Sequence, residues 1–284
     1  MLAEKPGIAT RDLTPLIGTE VRCDVETLLS GRIAKELRAL LETRGVLVFP
    51  KAGLTEAQQV AFTRTLGNQA VETYGLTEEN RDQPPTFKIS LDPKETSFAG
   101  SLRGSLFWHL DGSMSEIPVL ATILTARRLS PTGGQTEFCN TYAAYEALPD
   151  SDKQMLAGLR AMHANWSLQR YYNPEPSYAE LTQARRAPCR TQPIVWTHRS
   201  GRKSLVLGAS AAYVEGLDPT ESYDLLVRLR DWATQPQFVY RHEWTVGDLL
   251  MWNNTGTLHR ALPYDPQSGR LMTRTLLEGE EPFA

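Results

Sequence analysis

The chain has 284 residues, 41 % of them hydrophobic, with 30 Lys and Arg against 33 Asp and Glu for a formal net charge of −3. That is enough for one sizeable core, and the dispersed, slightly acidic charge excludes a nucleic-acid-binding surface. No apolar run of about 18 residues could span a membrane and no charged-then-apolar leader opens the chain, so the expected location is the cytoplasm, while Cys23, Cys139 and Cys189, widely spaced and without Cys-X-X-Cys, predict reduced thiols rather than a disulfide framework or a zinc ribbon.

In chain order, the spacing of Ile33, Leu37, Leu40 and Leu41 predicts a helix over 31–43, leading through Gly45 into an apolar strand at 46–49. A second helix is expected over 55–66, capped by Thr55, with Val60 and Phe62 inward and Gly67 as its stop. Residues 75–104 are polar and carry Pro84-Pro85 and Asp92-Pro93, which predicts a long lid loop. Next come a strand over 119–126, a turn at 131–134, a strand over 135–139 and helices over 141–148 and 151–159. Residues 164–192 are expected to form an irregular insertion covering the substrate; its Trp166, Tyr171, Tyr172 and Tyr178 could line an apolar wall or simply pack the insertion. A hairpin joining 194–196 to 204–207, an amphipathic helix over 222–234 and a turn at Gly247 into a buried strand complete the pattern. Arg127-Arg128 and Arg185-Arg186 read as solvated surface pairs.

The chemistry concentrates in the run Trp108-His109-Leu110-Asp111 and in Thr257-Leu258-His259-Arg260. On a strand, His109 and Asp111 would share one face because side chains alternate with period two. A lone His-X-Asp arises readily by chance in a chain with five histidines, and His109 alone could be a hydrogen-bonded core residue. The residues downstream of His259 strengthen the functional reading. Arg270, Met272 and Arg274 alternate with Leu271 and Thr273, so both guanidinium groups would face the side that His259 occupies on a neighbouring strand. Two imidazoles and a carboxylate leave about three positions open on an octahedral ion, as non-haem Fe(II) oxygenases require. An inward Arg implies an acidic small molecule, gripped through paired hydrogen bonds.

From the stretch Arg44-Gly45-Val46-Leu47-Val48-Phe49-Pro50, through the metal motif and Thr132-Gly133-Gly134-Gln135-Thr136, to Arg274, the chain resembles the taurine and 2,4-dichlorophenoxyacetate dioxygenase family of Fe(II)/2-oxoglutarate enzymes. The resemblance implies a mainly β fold with flanking helices, a double-stranded β-helix or jelly roll, as a single domain over 1–284 with the two long insertions above. It implies His109, Asp111 and His259 as the iron ligands, Thr136 and Arg270 as the grip on the distal carboxylate of 2-oxoglutarate, and Arg274 as the contact to the acidic group of the substrate. Fe(II), 2-oxoglutarate and O2 are the implied cofactor and co-substrates, with succinate and CO2 as by-products of hydroxylation. A homodimer or homotetramer is consistent with the family.

Departures from the taurine pattern concern the substrate. No His follows Leu66-Gly67, no Asn precedes the metal motif in Gly104-Ser105-Leu106-Phe107, and Trp252-Asn253-Asn254 replaces Trp-Asp-Asn. With Arg260, Ala261 and Pro263 these features fit the aryloxyalkanoate branch better, and the expected substrate is a small aromatic or hydrophobic carboxylate, with ether cleavage where the hydroxylated carbon bears oxygen. A sulfonate or alkyl-sulfate oxygenase and a non-catalytic jelly-roll binding module are the alternatives. Zinc hydrolysis at the same ligands is disfavoured, since no Glu or second His stands beside the motif as a base. His163, His198 and His242 lie outside any ligand spacing and read as surface or hydrogen-bonded residues, although His198 sits at a turn where relatives often carry a histidine.

Overall fold

A computed structural model of the protein describes residues 3–5, 8–71 and 86–284. The described residues fold mainly as β-sheet with helices packed on the outside. The largest sheet runs in the order Ala3–Lys5, Ile8–Asp12, Thr19–Arg22, Val46–Phe49, Leu249–Asn253, Ala121–Arg128, Leu271–Leu277 and Gln69–Ala70, with Phe87–Ile89 also pairing onto Leu271–Leu277. Opposite it lies a three-stranded sheet of Val239–His242, Thr136–Asn140 and Thr257–Ala261. Smaller pieces are the sheet Cys189–Pro193, Arg160–Ala164 and Ala211–Val214 and the hairpin of Val195–Thr197 with Lys203–Leu205.

Leu249–Asn253 is almost entirely apolar and buried throughout because it is covered on both faces. On one face Leu249 and Met251 join Leu47, Phe49 and Ile123 against the helices Ala34–Arg44 and Glu56–Leu66. On the other, Leu250 and Trp252 pack with Val48, Leu124, Met272 and Phe138, filling the space between the two sheets. A third cluster lies outside the three-stranded sheet, where Cys139 and Leu258 meet Ala144, Leu225 and Leu229 of the flanking helices. Truncating a fully buried leucine here, such as Leu37, would cost about 2–5 kcal/mol.

Local signals explain the helix ends. Thr55 caps Glu56–Leu66 with a capping box in which Gln58 reaches back to the Thr55 backbone. Asp218 accepts from the Thr220 and Glu221 N–H groups to start Pro219–Ala233. Elsewhere the boundaries shift by one to a few residues from the sequence expectation: the strands lie at Ala121–Arg128 and Thr136–Asn140, the helices at Thr141–Glu146 and Asp150–Leu156.

The segment 164–192 is not irregular. It folds as helices Asn165–Tyr172 and Tyr178–Ala184, the latter started by a Ser177–Glu180 capping box, and then strand Cys189–Pro193. Of the segment expected as a lid, 75–85 lies outside the described residues, whereas 86–104 contributes strand Phe87–Ile89 to the main sheet and the helical turn Ala99–Leu102. Arg127 is no surface residue: its guanidinium donates to Thr273 Oγ1 at 2.7 Å, to Gln59 Oε1 at 3.0 Å and to the Leu54 carbonyl, tying the sheet to the helix above it. Arg128, Arg185 and Arg186 are exposed as expected.

Candidate metal and anion site

The three ligand candidates meet at one end of the space between the sheets, although not as a strand argument predicts. His109 belongs to no strand. It forms a single bridge with His259, each backbone N–H donating to the other's carbonyl at 3.0 Å, and the chain then turns at Gly112. His259 lies within strand Thr257–Ala261, which pairs with Thr136–Asn140 rather than with Leu271–Leu277, so the histidine and Arg274 belong to opposed sheets. The imidazole centroids of His109 and His259 are 4.1 Å apart. Asp111 Oδ1 lies 3.7 Å from His109 Nε2 and Oδ2 lies 3.7 Å from His259 Nε2, and one ligand atom from each residue falls within 4.8 Å of the others. Gly208 presses on this segment with φ +118, where side chains are rarely tolerated; a Cβ there would stand 2.9 Å from His109 Cα.

Hydrogen bonding fixes the donor set. The His109 Nδ1–H donates to the Phe107 carbonyl at 2.8 Å, which turns Nε2 towards the cluster as the ligand atom. Burial by itself would push the Asp111 carboxyl up, but His259, Arg274, His109 and the Thr122 hydroxyl together hold it down at about 2, so it is ionised at neutral pH. Burial and the neighbouring His109 push the His259 imidazole down to about 3, keeping it neutral. Two imidazoles and one carboxylate on a shared centre are the donors a divalent first-row ion takes.

Arg274, on Leu271–Leu277, brings Nη1 to 3.8 Å from Asp111 Oδ2 and lies over the Phe87 ring at 5.3 Å. Arg270 precedes that strand and is only 3 % exposed. Its Nη2 donates to the Gly134 carbonyl at 3.0 Å and its guanidinium stacks 4.7 Å from the Tyr264 ring centroid. Among the described residues Nε has no hydrogen-bond partner, and no carboxylate pairs with this arginine. Gly134 permits the approach: with φ +77, it leaves the space where a Cβ would stand 2.9 Å from Arg270 Nε. Thr136, also buried, pairs with Ala261 across the ladder and therefore shares the face of His259. A buried, uncompensated guanidinium is costly unless an anion completes it, so this end of the site fits a carboxylate.

Residues 9–276 match the family described as taurine catabolism dioxygenase TauD, TfdA family. The chain belongs to this family. Among its relatives, the alpha-ketoglutarate-dependent 2,4-dichlorophenoxyacetate dioxygenase of Cupriavidus pinatubonensis strain JMP 134 is 37 % identical over 283 residues, covering 94 % of this chain and 96 % of the relative. The (S)-phenoxypropionate/alpha-ketoglutarate-dioxygenase of Sphingobium herbicidovorans is 30 % identical and covers 86 % of each chain. The crystal structure of AAD-2 in complex with Mn(II) and N-oxalylglycine superposes with a TM-score of 0.81 at 31 % identity, covering 98 % of this chain and 99 % of that one.

Several neighbours of the site escape a sequence reading. The Thr122 hydroxyl donates to Asp111 Oδ2 at 2.8 Å, and Asn254 Nδ2 donates in turn to Thr122 at 2.8 Å. Trp244 Nε1 donates to Thr136 at 2.9 Å, and Tyr264 underlies Arg270 while its hydroxyl accepts the Leu91 N–H at 3.1 Å. Only Asn254 carried a signal, as part of the run before His259. Of the aromatics in 164–192, Tyr171 meets Phe107 with centroids 5.1 Å apart and Tyr178 is 83 % exposed, while Phe87 meets Phe98 at 5.4 Å. His163, His198 and His242 are buried and hydrogen-bonded to Ser210, to Glu281 and Ser204, and to Asp248, respectively, and none of them belongs to the His109–Asp111–His259 group.

Proposed function

We propose that His109 Nε2, Asp111 and His259 Nε2 hold Fe(II), that Thr136 and Arg270 grip the distal carboxylate of 2-oxoglutarate, and that Arg274 meets the carboxylate of the substrate. The protein is an Fe(II)/2-oxoglutarate-dependent dioxygenase, using O2 and releasing succinate and CO2. The substrate we assign is a small aryloxyalkanoate or similar hydrophobic carboxylate, in keeping with the phenoxy acids named for the relatives. We take the two facing sheets as a double-stranded β-helix, with 86–104 and 164–192 as the parts of the single domain that cover its mouth. The observation that carries the reading is Arg270: a guanidinium 3 % exposed, without a counter-charge among the described residues, on the same side of the fold as a His-Asp-His cluster.

Fe(II), when bound, supplies the activation of O2 coupled to oxidative decarboxylation of the keto acid. The residues of the chain do the rest. The Phe107 carbonyl and Thr122 orient His109 and Asp111, so the ligands need little reorganisation on binding metal. Tyr264 and Gly134 hold the Arg270 guanidinium in one plane, ready for two parallel hydrogen bonds. Phe87 beneath Arg274 and Phe107 beside Tyr171 provide apolar surface for an aromatic ring. For an aryloxyalkanoate, hydroxylation at the carbon bearing the ether oxygen gives a hemiacetal, which collapses to a phenol and an oxo acid.

Anaerobic addition of Fe(II) and 2-oxoglutarate should give the visible charge-transfer band of a chelated keto acid, and phenoxyacetate should then drive succinate release in air. His109→Ala protein that keeps full turnover would sink the assignment. Arg274→Ala should raise the KM for substrate far more than that for 2-oxoglutarate, and equal effects on both would refute its role. A relative from Pseudomonas putida at 27 % identity is named a sulfate ester dioxygenase, so sulfate release from an alkyl sulfate, without phenol formation from aryloxy acids, would move the substrate to that class.

A further inference from the structure

We propose that Trp244 is a positioning residue for the co-substrate anchor: its indole N–H occupies the acceptor side of the Thr136 hydroxyl and so commits that hydroxyl to donate its proton to the bound carboxylate. This rests on the reading of Thr136 and Arg270 as the grip on 2-oxoglutarate. An indole nitrogen can only donate, whereas a hydroxyl has one proton and two lone pairs. With Trp244 Nε1 2.9 Å from Thr136 Oγ1, the hydroxyl accepts this bond. Thr136 is 4 % exposed, and no acceptor for its own proton is found among the described residues. The unspent proton joins the unspent Nε–H of Arg270, and both residues adjoin Gly134, Thr136 two positions along the chain and Arg270 through the Gly134 carbonyl. Two buried donors left open at one place call for one acceptor with two oxygens.

The indole is itself held. His242, opposite Thr136 in the ladder, meets the Trp244 ring edge-on at 4.7 Å and 87°. His242 Nε2 hydrogen-bonds Asp248 at 3.1 Å, and the same carboxylate accepts the Thr245 and Lys51 N–H groups at 2.8 Å each. The turn that carries Trp244 is therefore pinned on both sides, which makes the direction of its N–H a property of the fold.

The test is calorimetric titration of Mn(II)-loaded protein with 2-oxoglutarate and, separately, with pyruvate, which has the same keto acid end and no distal carboxylate. Trp244→Phe should weaken 2-oxoglutarate about 5- to 10-fold, the worth of one oriented hydrogen bond, and leave pyruvate unchanged. Adding Trp244→Phe to Thr136→Ala should weaken 2-oxoglutarate no further. In turnover, the KM for 2-oxoglutarate should rise while the substrate KM stays put. Should Trp244→Phe fail to fold, benzothienylalanine at 244 deletes only the N–H and serves the same purpose. Unchanged 2-oxoglutarate affinity, or equal loss for both keto acids, overturns the proposal while leaving the anchor intact. If Thr136→Ala and Arg270→Ala themselves leave 2-oxoglutarate affinity untouched, the anchor reading fails and takes the proposal with it.

Discussion

Arg127 and Arg270 enter the main sheet from neighbouring strands, near the point where Leu271 pairs with Arg128, yet they serve opposite ends. Arg127 points to the outer face, where Gln59, Thr273 and the Leu54 carbonyl take up its donors. Arg270, more deeply buried, has one carbonyl, an aromatic ring and an idle Nε. Two arginines at the same end of one sheet thus separate by their hydrogen bonds: all three nitrogens of Arg127 are engaged and tie the fold together, whereas Arg270 keeps an unpartnered Nε, as the proposed carboxylate grip requires.

The largest expected effect breaks the pair apart on the binding side. Arg270→Met should weaken 2-oxoglutarate by about 2–5 kcal/mol, roughly 30-fold or more by calorimetry, without lowering the melting temperature, because a lone buried charge is removed. A fall in melting temperature with unchanged affinity would reverse the roles. A third basic group solves burial by giving up its proton. His163, fully buried with Nδ1 at 2.9 Å from Ser210, is pushed down by burial from the usual 6.5 to about 4. Its contribution is therefore complete above pH 6.5 and is lost as pH falls towards 4, by about 3 kcal/mol. Chemical denaturation of wild type and His163→Gln between pH 7 and 4 should show that slope only in the former.

Arg127→Met should destabilise by about 1–3 kcal/mol through its orphaned partners while leaving 2-oxoglutarate affinity intact, the mirror image of Arg270→Met. Smallest of all, Tyr178→Ala, at an 83 % exposed position, should change stability by less than about 0.5 kcal/mol and leave the substrate KM unaltered. A large rise in that KM would restore Tyr178 to the substrate wall.

Residues whose partners lie far away in the chain were illegible in the sequence. Arg127 looked solvated because Gln59 and Thr273, 68 and 146 residues away, are invisible to any local pattern. Thr122, Trp244 and Tyr264 act through side-chain contacts to residues outside their own segments and have no motif of their own. In 164–192 the run Asn173-Pro174-Glu175-Pro176 breaks periodicity so often that two helices of 8 and 7 residues fall below the length at which a helical repeat shows. The helix over Glu56–Leu66 was legible because its cap, its stop and its apolar face are all local.

By itself the sequence determined the family and its reaction class, and it singled out His109, Asp111, His259, Thr136, Arg270 and Arg274 as candidates because few residue types bind metals or carboxylates and their order along the chain is specific. Tertiary structure alone decided which of them lie on strands and which beside them, which nitrogen of His109 faces the cluster, and which of two arginines beside the sheet still has a donor to offer. Those are properties of hydrogen-bond partners brought together by strand pairing and by packing across the core, and no local pattern of residues encodes them.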